Sequence, residues 1–180
     1  MTLRIDPVVP GTRPELAAQE AQILAERGRI SPLYQILLNS PPIAHGWEQM
    51  LSAVRNRSSL SADLRELVIL RVAILNRAPY EFEAHLPIAK AAGVSDAAIQ
   101  VVQELMPQDV SVWNAKQQLA IQMTDAMTQQ LEVPDDLYNE VRQHFDAQGQ
   151  IDLVATIAAY NMVSRFLIAL DVNPEEHPPE

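Results

Sequence analysis

The 180-residue chain contains no cysteine. That one absence excludes disulfides, thiolate metal sites and thiol nucleophiles. Basic residues are in the minority, 13 against 23 acidic ones, for a formal net charge of -10. Such a surface repels phosphate backbones, and no Lys/Arg cluster offsets it, so nucleic acid is not an expected partner. No stretch approaches the roughly 20 uninterrupted apolar residues that cross a bilayer. The start, "MTLRIDPVVPGTRPE", lacks the basic-then-apolar pattern of a signal peptide. The expectation is a soluble, cytoplasmic protein with no membrane partner. Glycine is scarce, at five residues, and no segment sustains the period-two alternation of a half-buried strand.

What is present is helical periodicity. At this length, with 48% hydrophobic residues, one domain can bury a sizeable core unaided. Residues 1–14 carry Pro7, Pro10, Gly11 and Pro14, and 172–180 mix prolines with carboxylates. Both ends read as irregular arms around a domain spanning 15–171. "SPLYQILLNS" and "SPPIAHGWEQMLSAVRN" each open with Ser then Pro, and Ser61 and Ser95 precede further helical runs; these are cap and first-turn signatures. An all-α, single-domain bundle of about eight helices is predicted. "DLRELVILRVAILN" is apolar on nearly every face, which places it at the bundle centre.

That central run begins with Glu66 and is followed, after "NRAP", by "YEFEAH" with Glu81 and His85. Pro79 must break the helix and suits the first position of the next. Glu81 then falls in a first turn, where the helix dipole favours its anion and burial opposes it. His85 lies one turn beyond on the same face, within reach of a carboxylate–imidazole bond to Glu81 that fixes the tautomer and raises basicity. Pro87 should kink the helix near His85. The structural alternative pairs Glu66 with Arg65 or Arg71 and turns Glu81 and Glu83 to solvent. Tyr80 is either a phenolic donor or packing, and Arg165, Arg71 and Arg77 are the candidate cations for an anionic substrate. His45 is either a cavity or a surface residue.

The run "LRELVILRVAILNRAPYEFEAHLPIAKAAGVSDAAIQ", with "AAYNMVSRFLIALDV", resembles the carboxymuconolactone decarboxylase and alkylhydroperoxidase D-like superfamily. The resemblance implies an all-helical fold assembled as trimers or hexamers, with active sites near subunit contacts. The alkylhydroperoxidase pattern is Glu, eleven residues, Cys, two residues, Cys, three residues, His. Glu66 and His85 occupy its outer positions, and the two cysteine positions hold Ala78 and Glu81. Thiol peroxidase chemistry is therefore not expected, since it needs a thiolate and a resolving thiol. The expected function is cofactor-independent acid–base chemistry, namely decarboxylation, isomerisation or hydration of a small, anionic oxidised acid or lactone. Catalysis would fall to Glu66, Glu81 and His85, and substrate binding to Tyr80, Arg77 and Arg165, with no metal. The alternatives are a non-catalytic oligomer or small-molecule sensor that lost its cysteines, and a mononuclear metal enzyme built on the same three residues.

Overall fold

The computed structural model describes residues 3–172. Among them lie nine α-helices and no strand: α1 (Ala17–Arg27), α2 (Pro32–Leu37), α3 (Pro41–Asn56), α4 (Ala62–Leu75), α5 (Pro79–Ala91), α6 (Asp96–Val102), α7 (Ala115–Asp125), α8 (Asp135–His144) and α9 (Ala147–Ala169). A 3-10 turn at Pro14–Leu16 leads into α1, and a π-helical turn at Ala126–Gln130 extends α7. Proline occupies the first position of α2, α3 and α5, where its missing amide is no loss and its fixed φ suits the helix. Ser95 caps α6 by accepting from the Ala98 amide, and Asn114 and Gln117 form a reciprocal capping box at α7.

The core explains why α4 has no polar face. Val68, Ile69 and Val72 belong to a large cluster with α3 and α9, whereas Leu67 and Leu70 belong to a second cluster with Ala89, Ile99, Val102, Trp113 and Ile121. A helix with a core on two sides gains from apolar residues all round, about 1.5–3 kcal/mol for each large side chain removed from water. α4 accordingly packs against α5, α6, α7 and α9.

By length and composition, α9 is long and apolar enough to cross a membrane, contrary to the expectation that no segment would be. Its Leu153, Ile157, Tyr160, Val163 and Leu167 are buried in the large core, which accounts for that apolarity. The start of the chain is irregular as expected but docked: Val8 is buried and its amide donates to the Gln35 carbonyl, and the Gly11 amide donates to Glu20. The acidic tail expected at 172–180 lies, beyond Val172, outside the described residues.

One junction sets up the chemistry. At the end of α4 the Ala78 amide donates to the Ala73 carbonyl and the Arg77 amide to Ile74, with Arg77 at φ 56°. This is a Schellman closure whose left-handed position, usually glycine, is filled by arginine. It reverses the chain within three residues and delivers Pro79 as the first residue of α5, so that α5 folds back along α4. α5 then runs unbroken through Pro87.

Candidate active site

The antiparallel return of α5 brings His85 against Glu66, one turn into α4. His85 Nδ1 lies 2.6 Å from Glu66 Oε2, and both side chains are buried. The second Glu66 oxygen is 3.6 Å from Arg65 Nε. The imidazole also meets the Tyr160 ring edge-on, with centroids 5.0 Å apart. Nδ1 is thereby committed to Glu66. The other ring nitrogen, Nε2, bonds to no described residue and is left to a cavity of about 270 Å³ that His85 helps to line.

Burial works against the Glu66 anion, but the hydrogen bond and charge of His85, with the charges of Arg55 and Arg65, outweigh it and hold the carboxyl below its ordinary range. Burial likewise pushes the His85 pKa down, and Glu66 offsets this only in part. The resting pair is therefore an anionic Glu66 accepting from Nδ1–H of a neutral imidazole. Nε2 then carries a free lone pair, the form required of a general base.

Glu81 also lines the cavity but has different surroundings. It is buried in the first turn of α5, where the helix dipole favours its anion by about 0.3–1 kcal/mol, up to ~2 in a buried setting. The penalty for desolvating an unpaired carboxylate is several kcal/mol. Burial wins, and the pKa stands well above the carboxylate range, with a hydrogen bond to Ser164 opposing the shift. The bonding pattern agrees. Ser164 Oγ is 3.1 and 3.2 Å from the two Glu81 oxygens and 2.9 Å from the Tyr160 carbonyl. With Glu81 protonated, its O–H donates to Ser164 Oγ and Ser164 donates onward to the Tyr160 carbonyl; an ionised Glu81 would instead take the single Ser164 proton, and that alternative bond is what opposes the shift. The cavity thus holds a base and a neutral acid whose surroundings push their pKa values in opposite directions relative to one another's ordinary order.

The rest of the wall comes from α1 to α3 and α9. Glu48 does not line the cavity but is buried against two residues that do: it receives Arg27 Nε at 3.1 and 3.2 Å and the Tyr34 hydroxyl, with a further hydrogen bond from the Ser52 hydroxyl. Burial raises the Tyr34 pKa above its ordinary value, as it does for Tyr160, and it pushes Tyr80 up to about 12. These phenols remain neutral donors. Among the described residues no group of three or more His, Asp or Glu side chains is close enough to hold a metal ion, so Glu66, Glu81 and His85 do not form a ligand set.

Residues 41–117 match the model of the carboxymuconolactone decarboxylase family. The fold is shared, over 97% of this chain and 94% of the other, with a peroxidase-related protein from Silicibacter sp. TM1040 at TM-score 0.80 and 17% identity. An alkylhydroperoxidase AhpD core protein from Ralstonia eutropha JMP134 gives 0.79 at 15%, covering 99% and 96%. The family model thus covers the segment that holds Glu66, Glu81 and His85, and the fold is that of alkylhydroperoxidase D-like proteins. The debrominase Bmp8, in complex with 2,3,4-tribromopyrrole, shares that fold at TM-score 0.80 and 16% identity, covering 99% of this chain and 95% of its own. YdfG of Bacillus subtilis (strain 168), an uncharacterized protein, is 27% identical over 116 residues, 63% of this chain and 78% of that one. The present chain contains no cysteine.

The sequence candidates separate. Glu66, His85 and Glu81 come together, but the partner of His85 is Glu66 from the facing helix and not Glu81 from its own. The i, i+4 rule puts Glu81 and His85 on one face, whereas the α4–α5 packing brings a closer acceptor across it. Tyr80 lines the cavity as expected. Arg77 lies instead beside a separate hollow lined by Ala73, Phe82 and Glu83, a consequence of its place in the Schellman turn. Arg165 is exposed and donates to the Asn161 carbonyl and side chain. Arg71 is fully buried elsewhere, on Asp125. His45 is exposed. The sequence reading missed Ser164, Arg27, Glu48 and Arg55. For Arg55 a signal existed: Trp47, Leu51 and Arg55 are four apart on α3, an arginine completing an apolar stripe.

Proposed function

We propose that this protein is a cofactor-independent acid–base enzyme acting on a small, planar, oxidised acid or lactone. His85 Nε2, backed by Glu66, is the base, and Glu81 is the acid. The observation that carries the reading is the pairing, in one cavity, of an imidazole nitrogen without a partner among the described residues and a buried carboxyl whose pKa burial raises.

In an isomerisation, a carbon next to a carbonyl gives its proton to His85 Nε2. When that carbon also adjoins a carbon–carbon double bond, the electron pair of the C–H bond moves into the carbonyl as a dienolate, which takes the Glu81 proton at the far carbon of the double bond as the double bond shifts into conjugation. Transfer of the imidazolium proton to the Glu81 carboxylate restores the resting state. In a decarboxylation the pair comes from the breaking carbon–carboxylate bond, carbon dioxide leaves, the Glu81 proton takes its place on carbon, and a solvent proton passed through His85 Nε2 restores Glu81. Tyr80 and Tyr160 supply neutral donors around a developing oxyanion. A positioned acid or base of this kind contributes about 10²–10⁴-fold.

Trp47, Tyr34 and Tyr160 on the cavity wall favour a flat substrate. The tribromopyrrole bound by the similarly folded Bmp8 supports a small ring. A cavity beside His85 and Glu81 weighs against a purely scaffolding role.

The test is hydrogen exchange in deuterium oxide, with a panel of unsaturated γ-lactone acids and 3-oxo acids followed by proton NMR. Protein-dependent deuteration or loss of carbon dioxide is expected for at least one compound, abolished in His85→Gln and Glu81→Gln. Exchange at the wild-type rate in His85→Gln contradicts the proposal.

A further inference from the structure

We infer that Arg55, with Arg29 on the wall of the same cavity, forms a carboxylate-binding subsite, and that the substrate is an aromatic or otherwise planar carboxylate anchored there with its reacting carbon at His85. This inference rests on the acid–base reading for which cavity holds the substrate, and it adds the group that the cavity recognises.

Three arginines line the cavity: Arg27, Arg29 and Arg55. Arg27 is already used. Its guanidinium lies on Glu48, reaches Ser52 at 3.4 Å and covers the Tyr34 ring at 5.7 Å. Of the carboxylates on the wall, Glu26 is taken by Arg57 at 3.3 Å and Asn56 at 3.2 Å, and Glu81 is neutral. Arg29, which is exposed, and Arg55, which is half-buried, make no ion pair and no side-chain hydrogen bond among the described residues. A half-buried guanidinium without a partner loses hydration and gains nothing in return. A ligand carboxylate supplies what is missing through two parallel N–H···O bonds.

Two further facts fix the ligand class. The protein carries a net charge of -10, so a free anion is repelled everywhere except where cations collect locally. Arg55 also shares one face of α3 with Trp47 and Leu51, one turn apart each, which sets an aromatic and an aliphatic side chain beside the cation. Its charge reaches the reacting pair, where it helps to keep Glu66 ionised.

Trp47 lies in the cavity wall and the second tryptophan, Trp113, is buried in the other core cluster, so Trp47 fluorescence reports binding. The probes are benzoate and its uncharged isostere benzamide, with Trp47→Phe as the control that removes the signal. Benzoate is expected to bind wild type about tenfold more tightly than benzamide. Arg55→Gln is expected to weaken benzoate about tenfold and leave benzamide unchanged, Arg55→Lys to restore part of the loss, and Arg29→Gln to cost about twofold. Equal binding of the two probes to wild type overturns the inference without any variant. So does benzoate binding at wild-type strength in folded Arg55→Gln. His85→Gln is expected to retain benzoate binding, so a failed subsite (no preference for benzoate) is told apart from a failed acid–base reading (exchange persisting in His85→Gln).

Discussion

The molecule buries charge in two places, and the two differ in what is left over. Arg71 on α4 is fully enclosed: Asp125 takes Nε and Nη2 at 2.6 and 2.8 Å, and the carbonyls of Val102, Glu104 and Leu105 take the remaining donors at 2.9, 2.6 and 3.5 Å. Its partners tie the end of α6 and the following loop to α4 and α7. Glu66, His85 and Glu81 are just as buried, yet among the described residues Nε2 of His85 has no partner and Glu81 has only a serine. A closed set of bonds holds structure together, whereas an open one is prepared for a ligand. Burial alone does not separate the two, and unfilled hydrogen-bonding capacity does.

Breaking the closed cluster should give the largest effect. Arg71→Met leaves the Asp125 carboxylate and three carbonyls without their donor, and the expected cost is about 3–5 kcal/mol, a fall in Tm of roughly 10 °C by thermal unfolding. His85→Gln in the open cluster should do the reverse. Urea unfolding is expected to move by about 1 kcal/mol or less, while turnover of a substrate found by deuterium exchange falls at least ~100-fold.

Glu81→Gln sharpens the contrast through pH. A carboxyl whose folded pKa is raised contributes fully below its unfolded value, 4.5, and loses that contribution as pH rises toward the folded pKa, because the unfolded chain releases the proton and the folded one does not. Glutamine keeps a neutral donor to Ser164 and has no proton to lose. The stability of Glu81→Gln relative to wild type is therefore expected to rise with pH above 4.5, by up to about 1.4 kcal/mol per pH unit, in urea titrations between pH 5 and 9. A flat difference would mean that Glu81 is ionised in the folded protein. The smallest effect belongs to Ser164→Ala, about 1 kcal/mol by the same titration at neutral pH, since it removes one acceptor from an otherwise intact acid.

Much of this was legible in the sequence where a local rule governs. Ser-Pro and Asn-Arg-Ala-Pro placed the starts of α2, α3 and α5, and the all-round apolarity of α4 marked the centre. Glu66, Glu81 and His85 were legible as a set because Pro79 fixes the phase of α5. The partner of His85 was not, since helix phase says which residues share a face and nothing about which neighbour comes across it. Arg77 shared this weakness, since its charge was visible but its left-handed turn is a product of packing; the bond from Arg165 to Asn161 is an i, i+4 pair along α9 that helix phase alone could have supplied. Ser164 carries no signal beyond its one-turn spacing from Tyr160. The charge state of Glu81 depended on a contest between helix dipole and burial that only the depth of α5 decides.

The account turns on the form of one imidazole, which nitrogen NMR of histidine-labelled protein reads directly, with the His85 signals assigned by their loss in His85→Gln. At pH 7 the expected result is a neutral ring with its proton on Nδ1, held by Glu66, and an unprotonated Nε2. A proton on Nε2, whether as the other tautomer or as the imidazolium, would leave the cavity without a base and contradict the account.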